Sequence, residues 1–237
     1  MIDLITTATS RDEAERAAPV ALLPVGSFEQ HGDYLPLATD TIVASIITRE
    51  LATRYSVLAL PPVAISCSHE HAGWPGTVSI SARTLHGVVV DVAESLAVQG
   101  IERLVLISGH GGNYILGNVV QEASVSGPRM ALFPQGTDWR SARDDAGLET
   151  DDHDDMHAGE LETSILLAYT PELVRPGNET ADWISERPHL LTLGMAGYTK
   201  SGVIGRPSAG SSEKGAAIMA SLVRSFGVVY ALLTEAR

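Results

Sequence analysis

The run Val20-Ala-Leu-Leu-Pro-Val25, continued by Gly26-Ser-Phe-Glu29-Gln-His31-Gly-Asp-Tyr-Leu-Pro-Leu-Ala-Thr-Asp40, decides how this chain reads. A continuous apolar run is the pattern of a strand buried on both faces, which is found in parallel sheets covered by helices. Directly after it stand a carboxylate, an imidazole and a second carboxylate. Glu29 and His31 are two apart, so in an extended segment their side chains point to one side. Asp40 follows a loop whose Pro36 can fold it back. Glu, His and Asp are the ligands expected for a hard-to-borderline divalent metal such as Zn²⁺, Mn²⁺ or Fe²⁺. Taken singly, Asp40 also reads as the N-cap of the next helix, and Glu29 as a loop carboxylate.

Outward from this stretch the pattern repeats. Before it, Ser10-Arg-Asp-Glu13 reads as a capping box opening a helix to about residue 18. After it, apolar residues at helical spacing predict a helix over 40–55 and a strand over 57–63, ended or placed at an edge by Pro61-Pro62. A helix over 84–99 closes at Gly100, followed by a buried strand over 103–108, a helix over 113–125 and a strand over 129–133. Residues 144–155 read as an acidic loop, 161–169 as a short helix, 194–215 as a long Gly/Ser-rich loop and 214–234 as a final amphipathic helix. The β-α alternation predicts one α/β domain spanning residues 1–237, with a mostly parallel sheet between helices.

Composition narrows the function. The 237 residues carry 16 basic and 29 acidic side chains, a formal net charge of −13, which argues against nucleic acid as the main partner. Hydrophobic residues at 44% and charged residues at 19% are ordinary for a globular protein, and aromatics at 5% leave the core to aliphatic packing. One cysteine, Cys67, excludes an intrachain disulfide and a Cys-rich zinc knuckle. The opening Met-Ile-Asp-Leu-Ile-Thr-Thr lacks a signal-peptide pattern, and no stretch reads as a membrane span, so a cytoplasmic protein without a membrane partner is expected.

Ligands of doubly wound sheets bind beyond the C-terminal ends of the strands. Two chemistry-bearing segments fall there: Glu29-Gln-His31, and Gly109-His-Gly-Gly-Asn113 after the 103–108 strand. The glycines leave His110 as the one metal-binding side chain in that turn. A third segment, Asp155-Met-His157-Ala-Gly-Glu-Leu-Glu162, places His157 just before a helix, where it can orient a water or donate a proton, and Glu162 within it, where it can complete a second metal's shell. Ser68-His69-Glu70-His71, before Ala72-Gly-Trp74-Pro-Gly76-Thr77, reads as a substrate-contacting loop with Trp74 in the pocket wall, or as a polar loop beside an aromatic anchor. Cys67 near His69 also admits a thiol nucleophile, against the simpler reading of a small buried cysteine. The run Glu149–Asp155 reads as a solvated loop. Arg206–Gly215 lacks the GK[ST] of a phosphate-binding loop.

Together these motifs resemble the creatininase (creatinine amidohydrolase) family over essentially the whole chain. The pieces that match are Pro24–Gly32 with Leu35–Asp40, Glu70–Thr77, Ser108–Asn113 and His157–Ser164. The resemblance implies an α/β/α sandwich, a homohexamer, and two divalent ions per subunit, Zn²⁺ first, with Mn²⁺ or Fe²⁺ as alternatives. Carried over by position, Glu29, Asp40 and His110 would hold one ion. His31, Asp40 and a further glutamate would hold the other, with Asp40 bridging. Creatininase itself supplies that glutamate two residues after its His110 equivalent. Here Gly112 stands at that place, so the role passes to Glu162. His157 would be the proton shuttle, with Glu162 counted beside it in the catalytic set, and Tyr34, His71, Trp74, Gly111 and Asn113 would face the substrate. The reaction implied is hydrolysis of a C–N bond, in an amide, formamide or cyclic amide, by a metal-activated water acting on a small molecule or short peptide. Family alternatives are formylaminopyrimidine-nucleotide deformylases and the peptidase of the mycofactocin precursor. Asp33-Tyr34 replaces the Pro-His of many members, and Gly-His-Gly-Gly-Asn is nearer those two branches than creatininase proper. Outside enzymes, the rival is a metal-stabilised binding protein that has lost catalysis.

Overall fold

The computed structural model describes residues 6–127 and 129–235. The first five residues of the opening segment lie outside that range. Four parallel strands form one sheet in the order β2-β1-β3-β4: β1 (Val20–Val25), β2 (Val57–Ala59), β3 (Leu104–Ser108) and β4 (Met130–Phe133). β1 pairs Leu22 with Ala59 on one side and with Val105 on the other. All six residues of β1 are buried, as the apolar run predicts. Successive side chains leave the strand on opposite faces. Val20 and Leu22 join Val105, Ile107 and Phe133 in one core, while Ala21, Leu23 and Val25 join Leu104, Leu106 and Met130 in a second.

Helices cover both cores. α3 (Ala82–Val98) and α4 (Ile115–Ala123) pack through Leu85, Val89, Leu96, Leu116 and Val119 on one face. On the other lie α2 (Thr39–Arg54), α5 (Gly136–Ala146), α6 (Glu160–Tyr169) and α8 (Ser212–Glu235). Two short helices, α1 (Ser10–Arg16) and α7 (Leu190–Leu193), lie outside these layers. The result is the expected three-layer α/β/α sandwich.

The structure departs from the sequence reading in three places. β2 stops at Ala59, because Pro61 and Pro62 have no N–H to continue the ladder; Val63 regains only a single bridge to Val25. α5 was not expected. Its apolar residues are few, but Trp139, Ala142 and Ala146 fall at helical spacing and pack against the core, and polar contacts with α8 add to them. Asp145 accepts from Ser221 Oγ (2.7 Å) and pairs with Arg224 on α8. This helix absorbs the start of the segment read as an acidic loop, and Asp155 at its end is buried: it pairs with Arg143 (3.0 Å) and accepts from the Glu160 and Leu161 N–H groups that open α6. The Gly/Ser-rich loop is shorter than expected, since α8 already starts at Ser212. By length and composition α8 is apolar enough to cross a membrane, with a mean hydropathy of 1.8, yet Ile218, Met219, Leu222 and Phe226 are packed into the core.

Candidate metal centre

Strand order reverses between β1 and β3, and the loops after these two strands meet the first turn of α2. Backbones approach closely there. A Cβ on Gly26 would fall 2.3 Å from Thr41 Cα, and one on Gly109 would fall 2.1 Å from the Asp40 carbonyl oxygen. No other residue type fits either position, so both strand ends close onto the helix that carries Asp40. Asp40 itself lies inside α2, whose N-cap is Ala38, so its carboxylate is not used as a cap. It accepts instead from Ser27 Oγ at 2.5 Å.

The five expected ligands converge. One set of ligand atoms within 4.8 Å of one another comes from Glu29, Asp40 and His110, and another from His31, Asp40 and Glu162. Asp40 is common to both. Its Oδ1 lies 3.0 Å from His31 Nε2, and its Oδ2 lies 3.1 Å from His110 Nδ1. Glu29 Oε2 is 3.2 Å from His110 Nε2, and Glu162 Oε1 is 3.9 Å from His31 Nε2. His31 Nδ1–H donates to the Glu29 carbonyl (3.0 Å), which turns Nε2 toward Asp40 and Glu162.

Burial makes this crowd of charge expensive without a cation. Both carboxylate oxygens of Glu29 are buried without a hydrogen bond. Burial, with the Asp40 charge beside it, pushes Glu29 up to about 8. Burial lifts Glu162 to about 7 against the pull of His31. Burial alone would lower both metal-side histidines. The Asp40 carboxylate overrides it at His31, held at about 9, and Glu29 with Asp40 hold His110 well above its ordinary value. Despite its burial, the same two histidines keep Asp40 well below the usual carboxylate range. An oxygen- and nitrogen-rich donor set of this kind fits Zn²⁺, Mn²⁺ or Fe²⁺, and the two orphaned oxygens of Glu29 are the atoms a cation would satisfy.

His157 stands beside the two sets, its ring 4.2 Å from that of His31 and 4.3 Å from that of His71. A bridge to Ile204 fixes its backbone, and Ala158 after it adopts φ 54°. That left-handed turn is tied on both sides: the Ala158 N–H donates to Glu162 Oε2 (2.6 Å), and Tyr34 donates its hydroxyl to the Ala158 carbonyl. His157 Nε2 donates to the Gln30 carbonyl at 2.6 Å, and Nδ1 is 3.7 Å from Glu29 Oε1. Burial and the charges of His31 and His71 hold His157 well below its ordinary value, so it is a neutral imidazole with a free Nδ1 lone pair at pH 7.

The residues expected to face substrate divide. Gly111 is open and lines a cavity of about 560 Å³ and a second of about 260 Å³. Both cavities are also bounded by His110, Tyr114, Met156 and Glu162. Trp74 is half-buried, 6.4 Å from the His71 ring. His71 lines the smaller cavity but is only 1% exposed; its Nε2 is 3.2 Å from Glu29 Oε1, and its Nδ1 accepts from Gln30 Nε2 at 2.9 Å. Tyr34 is 1% exposed and supports Ala158 from within the core. Asn113 ties chain segments, donating to the Gly26 carbonyl (3.2 Å) and accepting from the Cys67 N–H (3.2 Å). Burial pushes the Cys67 thiol up, the reverse of an activated nucleophile, and the exposed His69 reaches Ser79 rather than sulfur. A further cavity, of about 680 Å³, lies at the other end of the sheet around residues 6–18, 58–61 and 99–101 and is lined by no histidine.

Sequence reasoning missed Gln30 and Glu70. Gln30 donates to His71 and to the Gly202 carbonyl (3.0 Å), tying the first motif to the loop before α8. Its place between two ligand residues was the available signal.

This fold and site define an α/β/α protein built around buried side chains of the types that hold a divalent metal. The family model described as creatininase, creatinine amidohydrolase, matches residues 5–229. The mycofactocin precursor peptide peptidase of Mycolicibacterium smegmatis is 34% identical over 229 residues, covering 92% of this chain and 86% of that protein. The creatinine amidohydrolase of Pseudomonas putida is 30% identical over 171 residues, covering 65% and 66%. A crystal structure of creatinine amidohydrolase superposes with a TM-score of 0.81 at 25% identity, over 95% of each chain. The chain belongs to the creatininase family, and it is a metal-dependent hydrolase of carbon–nitrogen bonds.

Proposed function

We propose that the chain is a two-metal amidohydrolase acting on a peptide bond of a short peptide. In this reading Glu29, Asp40 and His110 hold one divalent ion and His31, Asp40 and Glu162 the other, with Zn²⁺ first and Mn²⁺ or Fe²⁺ as alternatives. The observation that carries it is the pair of ligand sets sharing Asp40, placed where the two cavities meet. Bound there, the ions supply a water of lowered pKa and polarise the scissile carbonyl.

The chain's own groups do the rest. His157, neutral and with Nδ1 turned toward Glu29, takes up a proton at that nitrogen and delivers it to the departing amine. The Gln30 carbonyl fixes the tautomer that leaves Nδ1 free. Ala158, pinned by Tyr34 and Glu162, fixes the ring's position. Two cavities of about 560 and 260 Å³ share Gly111 and Tyr114 in their lining, room that favours a peptide over a compact cyclic amide. The peptidase name of the 34% identical relative points the same way. A homohexamer, implied by family resemblance, belongs to the same reading. Metal-loaded protein assayed against short peptides, N-formyl amides and creatinine tests the substrate: peptide cleavage is expected, and turnover of creatinine alone would contradict it.

A further inference from the structure

One carboxylate at the centre has no part in the scheme above. Glu70 and His71 are neighbours in a 3₁₀ turn, His69–His71, and each reaches a different ligand of the same set. Glu70 Oε1 stands 3.3 Å from His110 Nε2, and His71 Nε2 stands 3.2 Å from Glu29 Oε1. Glu70 belongs to neither ligand set. It lines the smaller cavity with 15% of its side chain exposed.

The turn is clamped in this position. A Cβ on Gly112 would fall 2.0 Å from Glu70 Oε1 and 2.4 Å from His110 Nε2, and one on Gly194 would fall 2.9 Å from the Glu70 carbonyl oxygen. Gly112 is therefore the gap through which Glu70 reaches His110. Partners fix the protons. His110 Nε2 donates to the Cys67 carbonyl at 2.9 Å, which places its proton on the Glu70 side and leaves Nδ1 toward Asp40. Gln30 donates to His71 Nδ1, which places the His71 proton on Nε2, toward Glu29. A carboxylate behind a metal-binding histidine orients the ring and raises its basicity. The other set is held differently: His31 Nδ1 and Glu162 Oε2 are engaged by backbone groups, the Glu29 carbonyl and the Ala158 N–H.

We infer that the Glu70–His71 turn is the outer support of the Glu29–Asp40–His110 position, with Glu70 positioning His110 and His71 positioning Glu29, and that it makes this the tighter of two unequal metal positions. The inference rests on the two-metal reading. Its test is titration of metal-stripped wild type, Glu70→Ala and Glu70→Gln with Co²⁺, followed by visible absorption and chelator competition, with melting of each metal-free form as the fold control. Wild type is expected to bind cobalt in two distinguishable steps. Glu70→Ala weakens the tighter step by about 10–100-fold and leaves the weaker one in place. Glu70→Gln, which keeps shape and an acceptor oxygen, loses less, and it carries the test if Glu70→Ala does not fold. Two unchanged steps in both variants overturn the inference while leaving the two-metal reading intact. Wild type that binds no Co²⁺ overturns both.

Discussion

Asp40 Oδ1 lies 3.0 Å from His31 Nε2, and neither side chain is more than 1% exposed. The second oxygen of the same carboxylate faces His110, so one buried side chain is used from both sides. In the metal-free protein the two raised histidines pair with it, and a carboxylate shared by two cations would use the same two oxygens.

Removing a ligand from one set alone should empty one position. Glu162→Gln and Glu29→Gln are each expected to lower bound metal from about two ions per chain to about one, with hydrolysis falling at least ~100-fold as metal assistance is lost. Elemental analysis of the purified variants checks this. Full loading of both variants would show that these carboxylates are not ligands.

His157 is expected to separate chemistry from metal binding. His157→Gln should keep the metal held through Asp40: its ring groups with Glu29 and His31 but lies outside the two sets that share Asp40, and kcat should fall by ~10²–10⁴ with loss of proton transfer. Parallel loss of metal and activity would instead make it a ligand.

The metal-free protein should lose stability as pH rises from about 6.5 to 9. Glu162 at about 7, Glu29 at about 8 and His31 at about 9 all keep protons in the folded state that the unfolded chain has released, so folding binds protons across this window. Divalent metal must displace the same protons, and its affinity should therefore rise with pH over the same range. Melting curves with and without chelator, and calorimetry in buffers of different ionisation enthalpy, read both effects. Metal binding at pH 6.5 without proton release would refute the assignment.

Asp155 and Tyr34 should matter through structure. Asp155→Ala breaks a buried pair with Arg143 and uncaps α6, and is expected to cost ~3–5 kcal/mol. Tyr34→Phe leaves the Ala158 carbonyl without its donor, at ~1–3 kcal/mol. Chemical denaturation measures both. An unchanged midpoint in Tyr34→Phe would return Tyr34 to the substrate side.

Much of this was legible in the chain because parallel strands write themselves as apolar runs, and because their C-terminal loops are where ligands collect. Glu29, His31, Asp40 and His110 could be read that way. Glu162 could be read as completing a second metal's shell, the resemblance passed it the place left empty at Gly112, and the structure brings it to His31 and Asp40. Helix α5 left only a sparse signal, Trp139, Ala142 and Ala146 among charged residues, and part of its hold on α8 runs through Asp145, Ser221 and Arg224. Tyr34 sits in the right motif but turns inward to its partner at Ala158, while Asn113 lines the larger site cavity and is also tied to Gly26, contacts that are remote in sequence. Glu70 was visible as a residue, yet its contact with His110 depends on a gap at Gly112 that only the folded backbone reveals.

The most direct measurement is the metal content of purified wild type beside Asp40→Ala, with melting of both metal-free forms as the fold control. A shared two-metal centre predicts about two divalent ions per wild-type chain and loss of both from a folded Asp40→Ala. Fewer than about one ion per wild-type chain, with no hydrolysis restored by Zn²⁺ or Mn²⁺, or an Asp40→Ala protein that keeps both ions, would contradict it.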